Sequence, residues 1–443
     1  MKQSQDFFDF EINKNFFDLE DGYGKNPWDA VRYYVYNNKI ISNQSKRPVL
    51  SVRKSFPRLH LYRIIRGLFY FLTHLRPNYL FIICSRDNKA NNVKFDKISC
   101  DLVNLVDKKR SFFIETCPLT SENCFYPYIC PQYFIALWNK IKIKKYDFSD
   151  IVEKLKMSFP DIDITKEDLD VEYRKFIIQY KYFKFLIRLI KPRQIFLVQN
   201  GIHKGLFAAA NELGVEIVEF QHGQISFNHM AYSYPMGIDG YLNKIYHPNK
   251  LLIFGEYWAK NRCFPGVQNV VIGNNYYASD IVFPETSGNK QIVVISNDIE
   301  GPILSELVRK IIKIAPDFYF YFKLHPNQIR ETRYYYDLFE SYENVEVVFD
   351  EYNINQLLVR AEAILLIQST TELEALQAGR KVFVLKEGAY EVMDFVFNEE
   401  GVFLFEDAED FVDCYNRNVE LKLSIRDDIF SKFDKGKALA ILK

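Results

Sequence analysis

The sequence predicts two α/β domains, each a parallel β-sheet with helices on both faces. Three observations carry that expectation. Short apolar runs alternate with amphipathic helical stretches through the second half, which is the pattern of strands joined by crossover helices. The same strand–helix–strand unit closes the first half. A chain of 443 residues is too long for one ordinary core and suits two domains of roughly 150–250 residues each.

In chain order, Tyr79 to Cys84 and Ser111 to Glu115 read as buried strands. Gln194 to Val198 is a third, followed by an amphipathic helix over 202–213 that Gly214 ends, then a strand over Val215 to Phe220. The second half gives strands at Ile292 to Ile295, Phe318 to Leu324, Val345 to Val348, Ile364 to Ile367 and Val382 to Leu385. Helical patterns fill 302–314, 328–341, 353–361 and 370–378, the last ended by Gly379 as a C-cap glycine would end it. The expected hinge is the Gly/Pro/Asn-rich stretch Pro284 to Asn289. Domains are thus expected over 1–280 and 281–410. A charged helical segment over 411–443 is expected to pack back toward the first domain.

Composition excludes several classes. Hydrophobic residues at 48% and charged residues at 26% give a globular balance rather than a disordered chain. Lys+Arg and Asp+Glu are both 57, so the net charge is +0, which argues against a protein that wraps nucleic acid. The 39 Phe and 30 Tyr suit sugar-stacking clefts and membrane interfaces, and they also fill cores. Seven cysteines with no CxxC pair point to reduced thiols rather than a disulfide framework or a zinc site. The polar start carries no apolar signal core, and no stretch approaches the roughly 18 apolar residues of a membrane span. The expected location is cytoplasmic.

Ligands of doubly wound sheets bind at the carboxyl ends of the strands, and two such domains put those ends toward a shared cleft. That rule selects Ser296 to Asp298, His325 to Asn327, Gln368 to Thr371 and Lys386 to Gly388 in the second half. In the first half it selects the loops holding Asn200 and Gln221 to Gly223. Ser369, Thr370 and Thr371 open a helix with acids in its first turn, which is a well-capped helix start and, at a strand end, a place for a phosphate. No Walker or GxGxxG pattern exists, so hydroxyls would hold the phosphate instead. After Lys323 and Leu324, Pro326 stops the strand and leaves His325 at the cleft, able to hydrogen-bond or to offset a leaving phosphate. Lys386 is a further nucleotide-side candidate.

The Lys323-to-Pro326 run and the Ser369-to-Thr371 hydroxyls resemble the HP and S-S/T motifs of bacterial GT-B glycosyltransferases that use CMP-activated sugars. These include the sialyl- and Kdo transferases of capsule and lipopolysaccharide assembly. Phe220 to Gly223, Phe254 to Trp258 and Val271 to Asn274 are also similar to surface-polysaccharide synthesis proteins, so the resemblance covers roughly residues 194–405. It implies a GT-B fold, two Rossmann-like domains facing a central cleft. It implies a CMP-sugar donor, Kdo or a related ulosonic or sialic acid, with His325, Pro326 and Ser369 to Thr371 on the phosphate and ribose. The acceptor would be a glycan or lipid-linked glycan, near Gln221, His222, Arg86 and Asn200. Asp298 is the candidate nucleophile or base and Glu219 its acid/base partner. No metal or other cofactor is expected, because Asp161 and Asp163 are ordinary surface acids before a helix, and GT-B transfer leans on helix ends and side-chain donors.

Residues 43–86 carry nine Lys or Arg and no acid, interleaved with Phe56, Leu61, Tyr62, Ile64 and Phe69. Such a block suits an anionic membrane face or an anionic acceptor, or is the wet edge of a packed amphipathic helix. Alternative functions are a UDP-hexose or CDP-glycerol-type transferase of the same fold, or a non-catalytic scaffold of polysaccharide assembly.

Overall fold

The structure, a computed structural model, describes residues 2–41, 69–74, 76–85, 87–89, 93–116, 142–198, 201, 203–260, 265–278, 283–284, 288–388 and 390–442. The chain divides into two units, Met1–Tyr276 with Lys432–Lys443, and Tyr277–Ser431.

The first unit is built on six parallel strands: β1 (Tyr79–Ile83), β4 (Ser111–Glu115), β5 (Gln194–Val198), β6 (Glu216–Phe220), β7 (Lys250–Ile253) and β8 (Gln268–Val271). Their spatial order is β4-β1-β5-β6-β7-β8, and a separate hairpin pairs β2 (Asp87–Lys89) with β3 (Val93–Phe95). Strands β4 and β5 are buried along their whole length, and each carries an apolar centre, Phe112 to Ile114 and Ile195 to Val198. The helix Lys204–Leu213 follows β5 and packs on the long helix Lys166–Ile190. Gly205 permits that approach. A Cβ there would lie 2.6 Å from the Tyr180 nitrogen and 2.7 Å from the Phe176 carbonyl.

An N-terminal layer packs on the long helix Lys166–Ile190. Helices Lys2–Asn13 and Pro27–Tyr34 pack Phe7, Phe10 and Phe16 around Trp28, with ring centroids 4.5–6.2 Å from its indole. Buried among them, Arg32 forks onto Glu11 at 2.6 and 2.8 Å. The same guanidinium donates to the carbonyls of Met230 (2.8 Å) and Ser233 (3.0 Å). A fully bonded buried ion pair of this kind fixes geometry more than it adds stability; here it fixes the loop after β6.

The second unit holds β9 (Gln291–Ile295), β10 (Tyr319–Lys323), β11 (Val345–Val348), β12 (Ala363–Leu366), β13 (Lys381–Leu385) and β14 (Val402–Phe405). All neighbours are parallel, in the order β11-β10-β9-β12-β13-β14. Numbered within the unit this is 3-2-1-4-5-6, the Rossmann order. The helix Gly301–Ile314 buries Leu304, Leu307, Val308 and Ile311, a stripe at helical spacing, against Phe318, Phe320 and Phe322. Each unit, taken by itself, is a Rossmann-like parallel α/β sheet.

The expected helix over 328–341 is interrupted. A 3-10 turn, Pro326–Arg330, precedes the helix Thr332–Phe339, because Gln328 closes a capping arrangement back onto His325 and tightens the turn. The segment after 408 forms two helices rather than one, Ala408–Arg417 and Lys435–Ile441. The second joins the first unit, where the Ile441 carbonyl accepts from Gln194 Nε2 at 2.9 Å. No helix among the described residues is long and apolar enough to cross a membrane.

Candidate functional site

In the second unit the strand order reverses between β9 and β12, and their carboxyl ends lead into Ser296 and Gln368. Such a reversal is where doubly wound sheets bind ligands. A hydrogen-bonded bridge spans it. Asn297 Nδ2 donates to Glu300 Oε2 at 2.7 Å, and Gln368 Nε2 donates to Glu300 Oε1 at 2.9 Å. The Asn297 side chain also accepts from the Ile299 and Glu300 amides, shaping the turn.

Beside that bridge Ser369, Thr370 and Thr371 start the helix Thr371–Gln377. Ser369 Oγ donates to Thr371 Oγ1 at 3.0 Å and accepts from the Thr371 amide at 3.2 Å. Thr370 is exposed and the other two are half-buried. The helix has only seven residues, so the hydroxyls, rather than a long helix dipole, are the feature able to meet an anion.

Behind the hydroxyls lies Glu372, fully buried. Its Oε1 accepts from the Ser369 amide at 3.2 Å, and its Oε2 has no hydrogen-bond partner. Burial above all, with the Glu300 charge adding, pushes its carboxyl up to about 8. Glu372 is therefore neutral at pH 7. Neither residue was selected from the sequence as a site acid. Each has a readable signal: Glu300 continues the buried stripe of Leu304 and Leu307, and Glu372 shares a helix face with Ala375 and Leu376.

His325 follows β10 and is exposed, as are Pro326 and Asn327. Its Nδ1 accepts from the Asn327 amide at 3.1 Å, which leaves the ring proton on Nε2 and makes that edge a donor. Its own amide donates to Gln328 Oε1 at 2.9 Å, and Ser296 Oγ donates to the same oxygen at 3.2 Å. His325 and Ser369 thus follow strands on either side of β9, about 10 Å apart at two strand spacings, and are tied through Gln328, Ser296 and the Glu300 bridge. Asp298 is exposed in the loop after β9, and its carboxylate makes no hydrogen bond or ion pair with the described residues. Lys386 follows β13, exposed, with Nζ 3.0 Å from Glu406 Oε1, and that carboxylate raises its pKa.

The first unit places Gln221 and His222 directly after β6. Gln221 is fully buried and structural in its bonds. It donates to the Gly223 carbonyl (2.9 Å) and accepts from the Phe254 amide (2.9 Å). Glu219 is also fully buried. Its carboxyl group is met by Tyr232 rather than by an open surface, so the expected acid/base role would have to act through that tyrosine. Tyr232 Oη donates to Glu219 Oε1 at 2.8 Å and lies 3.2 Å from His222 Nδ1. Two more histidines gather here. His203 is buried with neither ring nitrogen bonded, and His229 stacks on Tyr33 at 6.1 Å. Burial first, then the charge of His222, pushes each down to about 4, so both stay neutral above pH 5.

Arg86 and Asn200 lie outside the described residues, as does most of the basic block over 43–86. Among the described residues no group of three or more His, Cys, Asp or Glu is arranged to hold a metal ion.

No curated protein sequence matches the chain. Among solved structures, the UDP-GlcNAc 2-epimerase of Methanocaldococcus jannaschii is 13% identical at a TM-score of 0.44, covering 82% of this chain and 99% of that one. The Neisseria meningitidis UDP-GlcNAc 2-epimerase bound to UDP-GlcNAc is 13% identical at 0.45, covering 82% and 98%. Acinetobacter baumannii MurG is 8% identical at 0.47, covering 83% and 98%. Residues 274–396, which contain the loops after β9, β10, β12 and β13, match the family described as capsule polysaccharide biosynthesis protein.

Proposed function

We propose that the protein is a glycosyltransferase of surface-polysaccharide synthesis that takes its sugar from a nucleotide-sugar donor held by the second unit. The observation that carries this reading is the bridged strand reversal. Glu300 joins the loops after β9 and β12, with the Ser369 and Thr371 hydroxyls on one side and a donor-edge imidazole, His325, on the other. The capsule-family match runs over the same loops.

In this reading the hydroxyls of Ser369 to Thr371 and the Nε2–H of His325 bind the nucleotide phosphate, with Pro326 setting the turn. They also stabilise the charge that develops on it as the sugar leaves. Asp298, the exposed carboxylate of the β9 loop, is placed on the sugar as nucleophile or base. Lys386, through its exposed stem, borders the nucleotide. The resemblance of the HP and hydroxyl motifs supports a CMP-activated donor, Kdo or a related ulosonic acid. The acceptor, a glycan or lipid-linked glycan, is assigned to the first unit near His222, with Arg86 and Asn200 as further candidates. We also propose cytoplasmic action, with the 43–86 block as a peripheral membrane contact, and transfer without a metal.

The test is incubation with CMP-, UDP- and CDP-sugars, with detection of the nucleotide released. CMP release that needs His325 supports the reading; release of UDP alone replaces the donor, and release of none from any donor overturns it.

A further inference from the structure

We propose that Tyr232 and Glu219 are positioning residues for His222, orienting its ring so that Nε2 takes the proton of the acceptor hydroxyl. This rests on the glycosyltransferase reading and, within it, gives the role of base to His222 and leaves Asp298 as the nucleophile.

The argument begins with a carboxylate where a strand would ordinarily carry an apolar side chain. Glu219 sits in the middle of the first sheet, in register with Leu197 on β5 and Leu251 on β7, and is fully buried. Such a group is costly there unless it is bonded. It cannot touch a substrate, yet it reaches the surface through one intermediary. Tyr232, 1% exposed, gives its only hydroxyl proton to Glu219 Oε1 at 2.8 Å. The tyrosine oxygen then faces His222 Nδ1, 3.2 Å away, as an acceptor. That bond puts the imidazole proton on Nδ1 and the basic lone pair on Nε2.

His222 immediately follows the buried end of β6, at the edge of the sheet where ligands bind, and is half-buried. Its support is rigid. Arg32 holds the carbonyls of Met230 and Ser233, and Ser233 Oγ donates to the Ser226 carbonyl at 2.8 Å, so the turn carrying Tyr232 is fixed from both sides.

The titratable groups around His222 come from several elements: Glu219 on β6, Tyr232 and His229 on its own loop, His203 before the helix Lys204–Leu213, and Tyr33 stacked on His229. His203 and His229 are held neutral by burial. In the step itself the acceptor O–H bond breaks and its proton passes to His222 Nε2. The oxygen forms its bond to the anomeric carbon, and the group leaving that carbon departs with the bonding electron pair. The imidazolium so formed is offset through Tyr232 by the carboxyl group of Glu219.

The first experiment needs no variant. Nitrogen-15 histidine spectra of the intact protein at pH 8 should give His222 as the Nδ1–H tautomer, with the resonance identified by its loss in His222→Gln. An Nε2–H tautomer overturns the relay whatever the protein catalyses. The second compares Tyr232→Phe and Glu219→Gln with the wild type on the released-nucleotide assay. Each should lower kcat about 10- to 100-fold with donor KM within about twofold, and move the acid limb of the pH–rate profile to lower pH. Wild-type kcat and an unmoved profile in both folded variants overturn the proposal. If the wild type releases no nucleotide, the glycosyltransferase reading fails, and the tautomer alone decides the relay.

Discussion

Gln368 donates to Glu300 at 2.9 Å, joining the loop after β12 to the start of the helix after β9 across the reversal of strand order. A sheet leaves this gap because its two flanking strands send their helices to opposite faces. Here the gap's two lips are held together by one buried carboxylate.

If that bond sets the spacing of the hydroxyl cluster, Gln368→Ala weakens nucleotide binding without touching the hydroxyls. One hydrogen bond to a charged group contributes about 1.5–3 kcal/mol. Titration calorimetry should therefore give an affinity at least about tenfold lower, with the fold intact by circular dichroism. Unchanged affinity would mean the lips hold their spacing without the bridge.

Glu372 gives a pH signature. Its folded value of about 8 lies above the ordinary 4.5, so the folded state keeps a proton that the unfolded chain has released. Stability from this group is complete below pH 4.5 and is lost as pH rises toward 8. Glu372→Gln keeps the acceptor for the Ser369 amide and removes the titration. The variant should be more stable than the wild type at pH 9, on the order of 3 kcal/mol, with the difference shrinking as pH falls toward 4.5. Denaturant melts at the two ends of the range check it, and a constant difference contradicts it.

Gly301 is the third point. A Cβ there would sit 2.2 Å from Tyr335 Oη and 2.8 Å from both Gln328 Nε2 and Ser296 Oγ. Gly301→Ala must push apart the residues that support His325, at a cost of about 1–3 kcal/mol. The expected result is a lowered melting temperature together with weaker nucleotide binding; binding and melting both as in the wild type would show that the cluster gives way freely.

Much of this was legible in the sequence because parallel strands buried on two faces leave unbroken apolar runs. Ile292 to Ile295, Ile364 to Ile367 and Val382 to Leu385 announce β9, β12 and β13. The sequence does not single out β7, β8 or β14: β8 and β14 are partly exposed edge strands with little contrast, and β7 is only four residues long. The loops at strand ends single out His325 and Ser369 to Thr371, but spacing alone does not single out the buried acids Glu300 and Glu372. Asp298 is exposed, while Glu300, two positions after it, and Glu372, one position after Thr371, fold inward on the apolar faces of their helices. Glu219, expected at the ligand end of its strand, is buried against Tyr232. One-dimensional spacing reports which face a residue occupies, not which neighbouring side chain satisfies it.

The central claim is that the second unit binds a nucleotide by an imidazole and a hydroxyl-bearing turn. Calorimetric titration of the wild type and of His325→Ala with CMP, UMP, CDP and UDP tests it most directly. The account predicts saturable binding of CMP by the wild type, weakened about tenfold or more in His325→Ala. No heat of binding from any of the four, or equal affinity in both proteins, contradicts it.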